Sequence, residues 1–418
     1  MNTFKRFIAG RNQTAATEQT FTFVSLFSGA GIGDYGLTLA GGECLAACEI
    51  DPNRSAVHSE NIGAPIWGNI RTEKTSLIAT VRNHDVDLLL ATPPCQSFST
   101  ANSRRGLLED PEHATRDDRN HLFFEALEVA RALRPKIVVF ENVPNFLKRK
   151  IRSTDGKIVG RVEEFLRASL TEYVGWCDTL CFSDLDVPQR RKRSIAIFAR
   201  RDILGTNSIK NLEPKFWPGA LTRKAKTIEQ ALDGIEPLDA HSEETAATRR
   251  DFLHQVPVYS ALHYQWISSI PPGSGQSAWE NPCEYCGEKS TPVFKVICCN
   301  CGGYMYNRPH VPIPGGRIRA IKGFKTSYKR MPSDELAPTI TTASGHFSSD
   351  LKLHPTENRV LSARECALIQ TIPYSFQWPA AQRYKKGYLM REMIGEAVPP
   401  LVTYRLGLAV ARFINGGN

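Results

Sequence analysis

The stretch DLLLATPPCQSFST, from Asp87 to Thr100, decides the fold, because a short apolar run leads into a loop of paired prolines, a cysteine and hydroxyl side chains. An apolar run of this length that ends at prolines is typical of a buried parallel strand whose carboxyl end enters a rigid, extended turn. In open α/β sheets, ligands bind at the carboxyl ends of the strands. The thiol of Cys95 is therefore predicted to lie at a functional site, although an isolated free cysteine is most often a small buried apolar residue.

A glycine-rich turn lies upstream of this loop. The run FTFVSLF, Phe21 to Phe27, is rich in β-branched and aromatic residues and is followed by the turn SGAGIG and an apolar helical pattern through Leu39. This predicts a strand, a glycine turn and a helix. Glycines let the backbone approach a ligand closely, and the helix N-terminus offers free amide donors.

Two further strand ends fit a nucleoside site. The predicted strand from Glu43 to Ile50 places Glu49 twenty residues after Gly29, where nucleoside-binding sheets place an acid that accepts hydrogen bonds from ribose hydroxyls. A solvated surface acid is the alternative. The run IWGNI, from Ile66 to Ile70, is predicted to be a third strand end, with Asn69 available for an adenine edge.

The chain after the cysteine loop supplies an acid. Residues Ser103 to Arg119 are polar without a steady period and are predicted to form a mobile loop. Helical periodicity from Leu122 to Leu133 and a strand from Lys136 to Phe140 follow. Glu141 directly follows this apolar strand, so it is predicted to be either a paired structural acid or a functional acid with a raised pKa.

A cationic cluster comes next. Two β-rich runs, Tyr173 to Phe182 and Ser194 to Phe198, flank the segment DVPQRRKR, and five cationic side chains lie between Arg190 and Arg200. On its own such a cluster is usually a solvated face or a nonspecific phosphate contact.

Composition is ordinary for a soluble globular enzyme, and the charge suits either a polyanionic partner or a solvated basic surface. The 418 residues are 41% hydrophobic and 23% charged, enough for two domains and a full core. The net charge is +9 and the isoelectric point is about 9.0, which suits a polyanion. No apolar run approaches a membrane span and no signal peptide is recognised, so we expect a cytosolic protein with a loose segment 1–20.

The cysteines are clustered. Five of the eleven lie between Cys283 and Cys301, and in a cytosolic chain this favours thiols and metal over disulfides. Two CxxC pairs, with eleven residues between them, have the spacing of a four-cysteine zinc knuckle formed by Cys283, Cys286, Cys298 and Cys301. The alternative is a set of reduced, unligated thiols, and Cys299 is a spare.

In this order, the motifs resemble those of the DNA cytosine-5 methyltransferase family. The resemblance rests on FSGAG, the acid Glu49, PPCQ, ENV at Glu141 to Val143, and QRRKR at Gln189 to Arg193. It continues with RMP leading to APTI at Ala337 to Ile340, and with GEAVPP at Gly395 to Pro400. It spans about residues 21 to 410.

The resemblance implies a Rossmann-like α/β sheet that binds S-adenosylmethionine, and a smaller, irregular target-recognition domain. The expected boundaries are a flexible segment 1–20, a catalytic and cofactor-binding domain 21–205, a recognition domain 206–388 with the knuckle at 283–301, and a C-terminal helix 389–418 that returns to the catalytic domain. The implied partners are S-adenosylmethionine and double-stranded DNA, bound by a monomer in the bacterial cytosol, near the nucleoid. No membrane partner is expected.

The resemblance also implies roles for single residues. Cys95 would be the nucleophile at carbon 6 of a flipped-out cytosine, and Glu141 the acid that faces ring nitrogen 3. Arg191 and Arg193 match the family's arginines near the target base and its phosphates, and Gln96 and Ser99 lie in the loop that would close on DNA. The implied cofactor contacts are Phe27, Gly29, Ala30, Gly31, Glu49, Ile50, Asn69, Ile70, Pro94, Leu122, Glu396 and Ala397.

Two positions depart from the family pattern, which often has aspartate where this chain has Asn69 and asparagine where it has Glu396. An amide can still donate to or accept from an adenine edge, whereas Glu396 adds a charge near the expected cofactor.

Two other functions stay open at this stage. Some relatives methylate cytosine in transfer RNA, but a sizeable recognition region with a predicted metal element favours duplex DNA. A catalytically silent DNA-binding homologue would have lost the thiol or the acid, and both are present. A set of basic and aromatic residues after the knuckle suits a DNA groove: Tyr304, Tyr306, Arg308, Arg317, Arg319, Lys322 and Lys325.

Overall fold

A computed structural model of the chain describes residues 7, 21–94, 121–204, 208–220, 225–321, 323–349, 351–379 and 388–416. Several predictions therefore lie outside the described residues. They concern Cys95, Gln96, Ser99, the loop from Ser103 to Arg119, Lys322 and the segment 1–20 apart from Phe7.

Strands and helices alternate through the first part of the chain, as the parallel-sheet prediction requires. In chain order they are β1 (Phe21–Leu26), α1 (Ile32–Leu39), β2 (Gly42–Cys48), α2 (Pro52–Ile62), β3 (Ile66–Trp67), α3 (Ile70–Val81), β4 (Leu88–Ala91), α4 (Leu122–Leu133), β5 (Ile137–Asn142), β6 (Lys150–Arg152), β7 (Val159–Arg161), α5 (Val162–Ser169), β8 (Tyr173–Cys181), β9 (Gln189–Arg190) and β10 (Lys192–Arg200).

In the second part of the chain the elements before the last two helices are short and scattered, and the last helix is the longest of the described chain. The elements are α6 (Ile228–Leu232), α7 (Ala261–Ser268), β11 (His310–Ile313), β12 (Arg317–Ala320), β13 (Ala337–Pro338), α8 (Ala363–Ile369), α9 (Tyr388–Glu396) and α10 (Pro400–Ile414).

Seven strands form the central sheet in the order β3-β2-β1-β4-β5-β10-β8. The first five run parallel, and β10 runs antiparallel to both β5 and β8. The strand order reverses between β1 and β4, and the carboxyl edge beside such a switch point is where open α/β sheets bind ligands. The turn after β1 and residues 92–94 after β4 therefore lie side by side at this edge.

Each face of the sheet is covered by its own apolar core, since successive side chains of a strand point to opposite faces. In β5, Val138 and Phe140 belong to the core on one face, together with Phe123 and Leu127 of α4. Ile137 and Val139 belong to the core on the other face.

The closing helix α10 completes that second core. Its residues Val402, Leu406, Val410 and Phe413 are buried with Phe21 and Phe23 of β1. Burial of each side chain of this size contributes about 1.5–3 kcal/mol. The predicted return of the chain end to the sheet is therefore an integral part of the sheet's packing.

The segment Leu389–Ile414 has the length and apolar composition of a membrane-crossing helix, the only such segment in the part of the chain that the structure describes. Two thirds of its most apolar stretch is buried inside the protein. Packing against the sheet accounts for its composition.

The second part of the chain has a separate aromatic core. Trp266, Trp279 and Tyr328 form its centre, with ring centroids 5.7 and 6.1 Å from Tyr328. A further cluster joins α8 and α9 to Ile32 and Val57 of α1 and α2. The boundaries predicted at 205/206 and 388/389 stay predictions.

Two local predictions need correction. The third strand is shorter than Ile66 to Ile70, because Asn69 caps α3 and its side-chain oxygen accepts a hydrogen bond from the amide of Arg71, so Ile70 is the first helical residue. Glu141 lies within β5 rather than after it, because Ile195 of β10 pairs with it and extends the ladder.

Candidate active site

The glycine turn after β1 forms a tight cradle at the carboxyl edge. Phe27, Gly29 and Gly31 all have positive φ, at 61°, 57° and 74°. A methyl group on Gly31 would lie 2.8 Å from the ring of His58, which is fully buried. Any side chain at Gly31 would therefore displace His58, and the glycine is required for the close approach of turn and helix α2.

His58 is part of a buried polar chain that sequence reasoning missed. Its Nε2 lies 3.0 Å from Asp34 Oδ2, and Ser25 donates to Asp34 Oδ1 at 2.8 Å. The chain joins β1, α1 and α2 beneath the glycine turn. No spacing in the sequence signals it, since the three residues come from three separate elements.

Glu49 is held against the same turn. Its carboxylate accepts from the amide of Gly29 at 3.0 Å and from that of Asp51 at 2.8 Å. Burial raises the pKa of Glu49, while these two hydrogen bonds and Arg54 oppose the shift. Gly29 and Glu49, both predicted to contact the cofactor, are thus brought together, and the apolar side chain of Ile50, the next residue, is 70% exposed.

Four other predicted cofactor residues divide into two groups. Asn69 is half-buried at the start of α3, and Pro94 and Leu122 are also half-buried. Ile70 is 3% exposed and packs in the sheet core. Only its backbone amide, unpaired within the first turn of a helix, could reach a ligand.

The surroundings of Glu396 explain how its charge is accommodated near the expected cofactor, which the sequence alone does not explain. A methyl group on Gly29 would lie 3.8 Å from Glu396 Oε1, so this second carboxylate is near the glycine turn. Arg54 of α2 pairs with Glu396 at 2.5 Å and with Asp51 at 2.8 Å. The arginine compensates the charge that replaces the family's asparagine, and no motif predicted it.

Glu141 is buried at the same edge and faces Arg193. Its Oε1 lies 3.2 Å from Arg193 Nε as an ion pair, and that oxygen has no hydrogen-bond partner among the described residues. Burial raises the pKa of Glu141, and the charges of Arg193 and Arg191 oppose the shift. A carboxyl group in this environment is suited to hold or share a proton.

Asn142 connects Glu141 to the start of the cysteine loop. Its side-chain amide donates to the carbonyl oxygen of Pro93 at 2.8 Å, within the interior. Thr92 in turn donates to the carbonyl oxygen of Phe27 at 2.9 Å. These bonds link the ends of β5, β4 and β1, so the chain enters the loop of Cys95 between Glu141 and the glycine turn.

Arg191 has a different environment from Arg193, two positions away. It is 1% exposed, and its guanidinium donates to the carbonyl oxygens of Ile340, Gly395 and Ala397 at 3.0, 3.1 and 2.9 Å. It therefore joins the central sheet to the APTI and GEAVPP segments. Its predicted contact with the target base is not tested by this geometry.

The same three motifs meet along a second contact. Gln189 and Arg190 of β9 pair in parallel with Ala337 and Pro338 of β13. Gly395 lies so close to this segment that a methyl group on it would be 2.3 Å from the backbone of Thr341. The QRRKR, APTI and GEAVPP segments, which are distant in sequence, are thus in contact with one another.

The four predicted metal ligands lie together. The Sγ atoms of Cys283, Cys286, Cys298 and Cys301 are all within 4.8 Å of one another. The distance from Cys283 to Cys301 is 3.7 Å and that from Cys286 to Cys298 is 3.6 Å. A tetrahedral ion with sulfur bonds of about 2.3 Å requires sulfur separations of about 3.8 Å, so the four thiols fit zinc.

Two matching turns form this cluster. In the first, the amide of Gly287 donates to the carbonyl oxygen of Cys283, and in the second that of Gly302 donates to Cys298. Both glycines have positive φ, at 75° and 72°. Arg308, fully buried, donates to carbonyl oxygens of the loop between the two turns, those of Thr291, Pro292 and Lys295.

Comparison with known proteins identifies relatives along nearly the whole chain. The family model described as C-5 cytosine-specific DNA methylase matches residues 21–412. The type II methyltransferase M1.HgaI of Avibacterium volantium is 26% identical over 397 residues, covering 91% of this chain and 95% of the relative. The type II methyltransferase M.Eco47II of Escherichia coli is 26% identical over 410 residues, covering 97% of this chain and 82% of the relative.

A solved structure shares the fold. A crystal structure of an E. coli protein encoded within a prophage and named as a DNA modification methyltransferase matches with a TM-score of 0.61. The match covers 94% of this chain and 99% of that protein at 17% identity. At this identity the match shows the fold alone, and it confirms the predicted α/β methyltransferase sheet.

Proposed function

Because this chain belongs to the C-5 cytosine-specific DNA methylase family, we propose that it methylates carbon 5 of a cytosine within a specific sequence of duplex DNA. The observation that carries the proposal is the buried Glu141 carboxyl, whose pKa is raised by burial, beside Arg193 and next to the start of the Cys95 loop. An acid at this sheet edge and a thiol in the chain that follows Pro94 are the two groups that activation of a cytosine ring requires.

The reaction follows from the electronic structure of cytosine. Carbon 5 is a poor nucleophile until the thiolate of Cys95 adds to carbon 6, forming a sulfur–carbon bond and making carbon 5 electron-rich. Glu141 would hold a proton at ring nitrogen 3 and so stabilise the adduct, and Arg193 would keep Glu141 oriented. After methylation, loss of the proton from carbon 5 expels the thiolate and restores the ring.

The methyl group comes from S-adenosylmethionine, which supplies an electrophilic sulfonium methyl when it is bound. The residues around the glycine turn fit this ligand. The Glu49 carboxylate suits ribose hydroxyls, the exposed Ile50 offers an apolar face to a base, and the cradle at Gly29 admits close backbone contact. Arg191, which holds the GEAVPP segment in place, is assigned as a positioning residue.

The target cytosine must leave the helical stack, because neither face of its ring is accessible inside a duplex. We propose that the region around residues 206–388 selects the sequence, and that the four-cysteine cluster binds one structural zinc ion, since it leaves no coordination position open. We also propose that the protein acts as a monomer in the bacterial cytosol, within a restriction-modification system like its type II relatives.

Transfer of labelled methyl groups tests the proposal. Purified protein is incubated with S-adenosylmethionine labelled in the methyl group, in one reaction with mixed-sequence DNA and in a second reaction with total RNA. We expect label in DNA at cytosine only. Transfer to RNA alone would favour the transfer RNA alternative. Bound cofactor without any transfer to DNA or RNA would identify a catalytically silent homologue.

A further inference from the structure

A strongly basic hairpin follows the Glu141 strand, and none of the motifs above includes it. The segment 148–161 contains Lys148, Arg149, Lys150, Arg152, Lys157 and Arg161 against a single acid, Asp155. We call it the basic hairpin. Its strands are β6 and β7, which pair with each other in antiparallel register and with no other strand in the described chain.

The basic hairpin is firmly attached to the sheet. Phe146 and Leu147, which precede it, are buried, and Ile151 within it is 1% exposed in the main core. The amide of Val162 donates to the carbonyl oxygen of Arg149, closing the base of the hairpin. The position of its outer face is therefore fixed relative to β5.

Register places the charges together on the outer face. Lys150 pairs directly with Arg161, and Arg152 with Val159, so these four side chains share one face. Ile151 points the other way, into the core. Like charges directly opposite each other destabilise a sheet pair, yet Lys150 forms no ion pair within the described residues. Only a carboxylate 4.0 Å from Arg161, that of Glu164, offsets the pair.

The basic hairpin begins close to the carboxyl edge of the sheet, where Glu141 lies. The carboxyl ends of β1, β4 and β5 lie on one edge because these strands are parallel. Glu141 and Lys150 are nine positions apart along the chain that leaves this edge. The connection is held there by Ser194 of β10, which donates to the carbonyl oxygen of Pro144 at 2.7 Å.

We propose that the outer face of the basic hairpin binds the phosphate backbone of the substrate duplex beside the target cytosine. This inference rests on the proposed function, since a duplex that presents a base to Glu141 must pass along this edge. No acid among the described residues fully compensates the repulsion between Lys150 and Arg161. Negatively charged phosphates would compensate it. A contact to phosphates adds affinity but carries no sequence information.

The test uses the full chain with Lys150→Gln and Arg161→Gln combined, which leaves the buried Ile151 unchanged. Affinity is measured over a range of salt concentrations for two duplexes. One is a fragment that the wild type methylates, and the other is poly(dA)·poly(dT), which contains no cytosine. Each phosphate contact contributes about 0.9 to the slope of log affinity against log salt concentration. Loss of two contacts should therefore reduce the magnitude of this slope by about 1.8.

Both duplexes should lose affinity equally, by about tenfold at moderate salt. The maximal methylation rate at saturating DNA, the affinity for S-adenosylmethionine and the unfolding temperature should stay at wild-type values. The matched control is Arg82→Gln with Arg131→Gln. These two exposed residues lie at the ends of α3 and α4, which lead to the opposite edge of the sheet. Their replacement removes two positive charges, as many as the hairpin variant loses.

A hairpin variant whose salt slope equals that of the control would overturn the proposal, as would a loss confined to the methylated duplex, since the hairpin would then read bases. If the wild type transfers no methyl groups to DNA at all, the proposed function itself fails, and that result is distinct from methylation with an unchanged slope.

Discussion

Replacement of Arg191 by glutamine separates the two arginines of the QRRKR segment. Arg191 is 1% exposed and forms three hydrogen bonds of 2.9 to 3.1 Å to the backbone of the APTI and GEAVPP segments. A hydrogen bond to a charged group contributes about 1.5–3 kcal/mol, so the loss of three costs about 4–9 kcal/mol. Glutamine can restore one of them, and we expect a loss of about 4 kcal/mol in the free energy of unfolding.

This loss should be visible as a lower melting temperature. A change of 1 kcal/mol shifts the midpoint by about 2–4 °C for a domain of 150–250 residues, so Arg191→Gln should melt about 8–16 °C below the wild type. Assayed at 20 °C, well below both midpoints, its methylation rate should fall by less than about tenfold, since Arg191 acts through backbone segments rather than on the base.

The matched variant is Arg193→Gln. Arg193 contacts Glu141 at the proposed site, so its loss should reduce the maximal methylation rate by about a hundredfold, while the melting temperature falls less than in Arg191→Gln. Scanning calorimetry and methyl transfer on the same samples decide the matter. An Arg191→Gln protein that melts like the wild type and is inactive would refute the reasoning, because Arg191 would then act directly on substrate.

Three further predictions concern the chemistry, its pH dependence and the metal. Cys95→Ser should nearly abolish methylation but leave DNA binding intact, because an alkoxide is not available at neutral pH; wild-type protein should form a denaturation-resistant adduct with 5-fluorocytosine DNA, and methylation of the matched cytosine site without such an adduct would contradict the thiolate route. Glu141→Gln should lower the methylation rate about 10²–10⁴-fold. Burial raises the pKa of Glu141 in the folded state, so its ionisation destabilises the wild type as pH rises above the unfolded value of about 4.3. In urea unfolding the variant should therefore be the more stable protein at pH 8, with the advantage gone at pH 4, and a variant less stable at pH 8 would argue against the raised pKa. Cys286→Ser should release zinc and weaken specific DNA binding while cofactor binding survives; less than about half an equivalent of zinc in the wild-type protein, or normal target binding by the variant, would mean that no closed four-ligand site exists.

Local patterns predicted the elements whose signals are local. The helix Leu122–Leu133 has the predicted bounds, because its apolar residues follow the helical period and a proline ends it. The strand that leads into the cysteine loop is found at Leu88–Ala91 for a similar reason. The run IWGNI is predicted to be a strand end that includes Asn69, but the side chain of Asn69 caps the following helix instead.

Contacts between distant segments could not be predicted in the same way. Gly29 and Glu49 could both be predicted to lie at the cofactor site, since each follows one of two adjacent parallel strands. Arg54 gave no signal, because its partner Glu396 is more than three hundred positions away and the pairing depends on how α9 returns. Arg191 and Arg193 are equivalent in sequence, and only packing distinguishes a buried arginine from one beside the acid.

The return of α10 to β1 also determines when during synthesis the sheet can be finished. The ring of Phe21, in the first strand, lies against Gly407, where an added methyl group would be 3.0 Å away. At about 5–20 residues per second, the ribosome takes tens of seconds to make the chain between them. Until then, the second core lacks α10, and the side chains of Phe21 and Phe23 that pack against it are less well covered in the nascent sheet. In a chain permuted so that 400–416 precedes β1, α10 is available as soon as the strands of the sheet have been made, and the catalytic region should resist proteolysis while still attached to the ribosome.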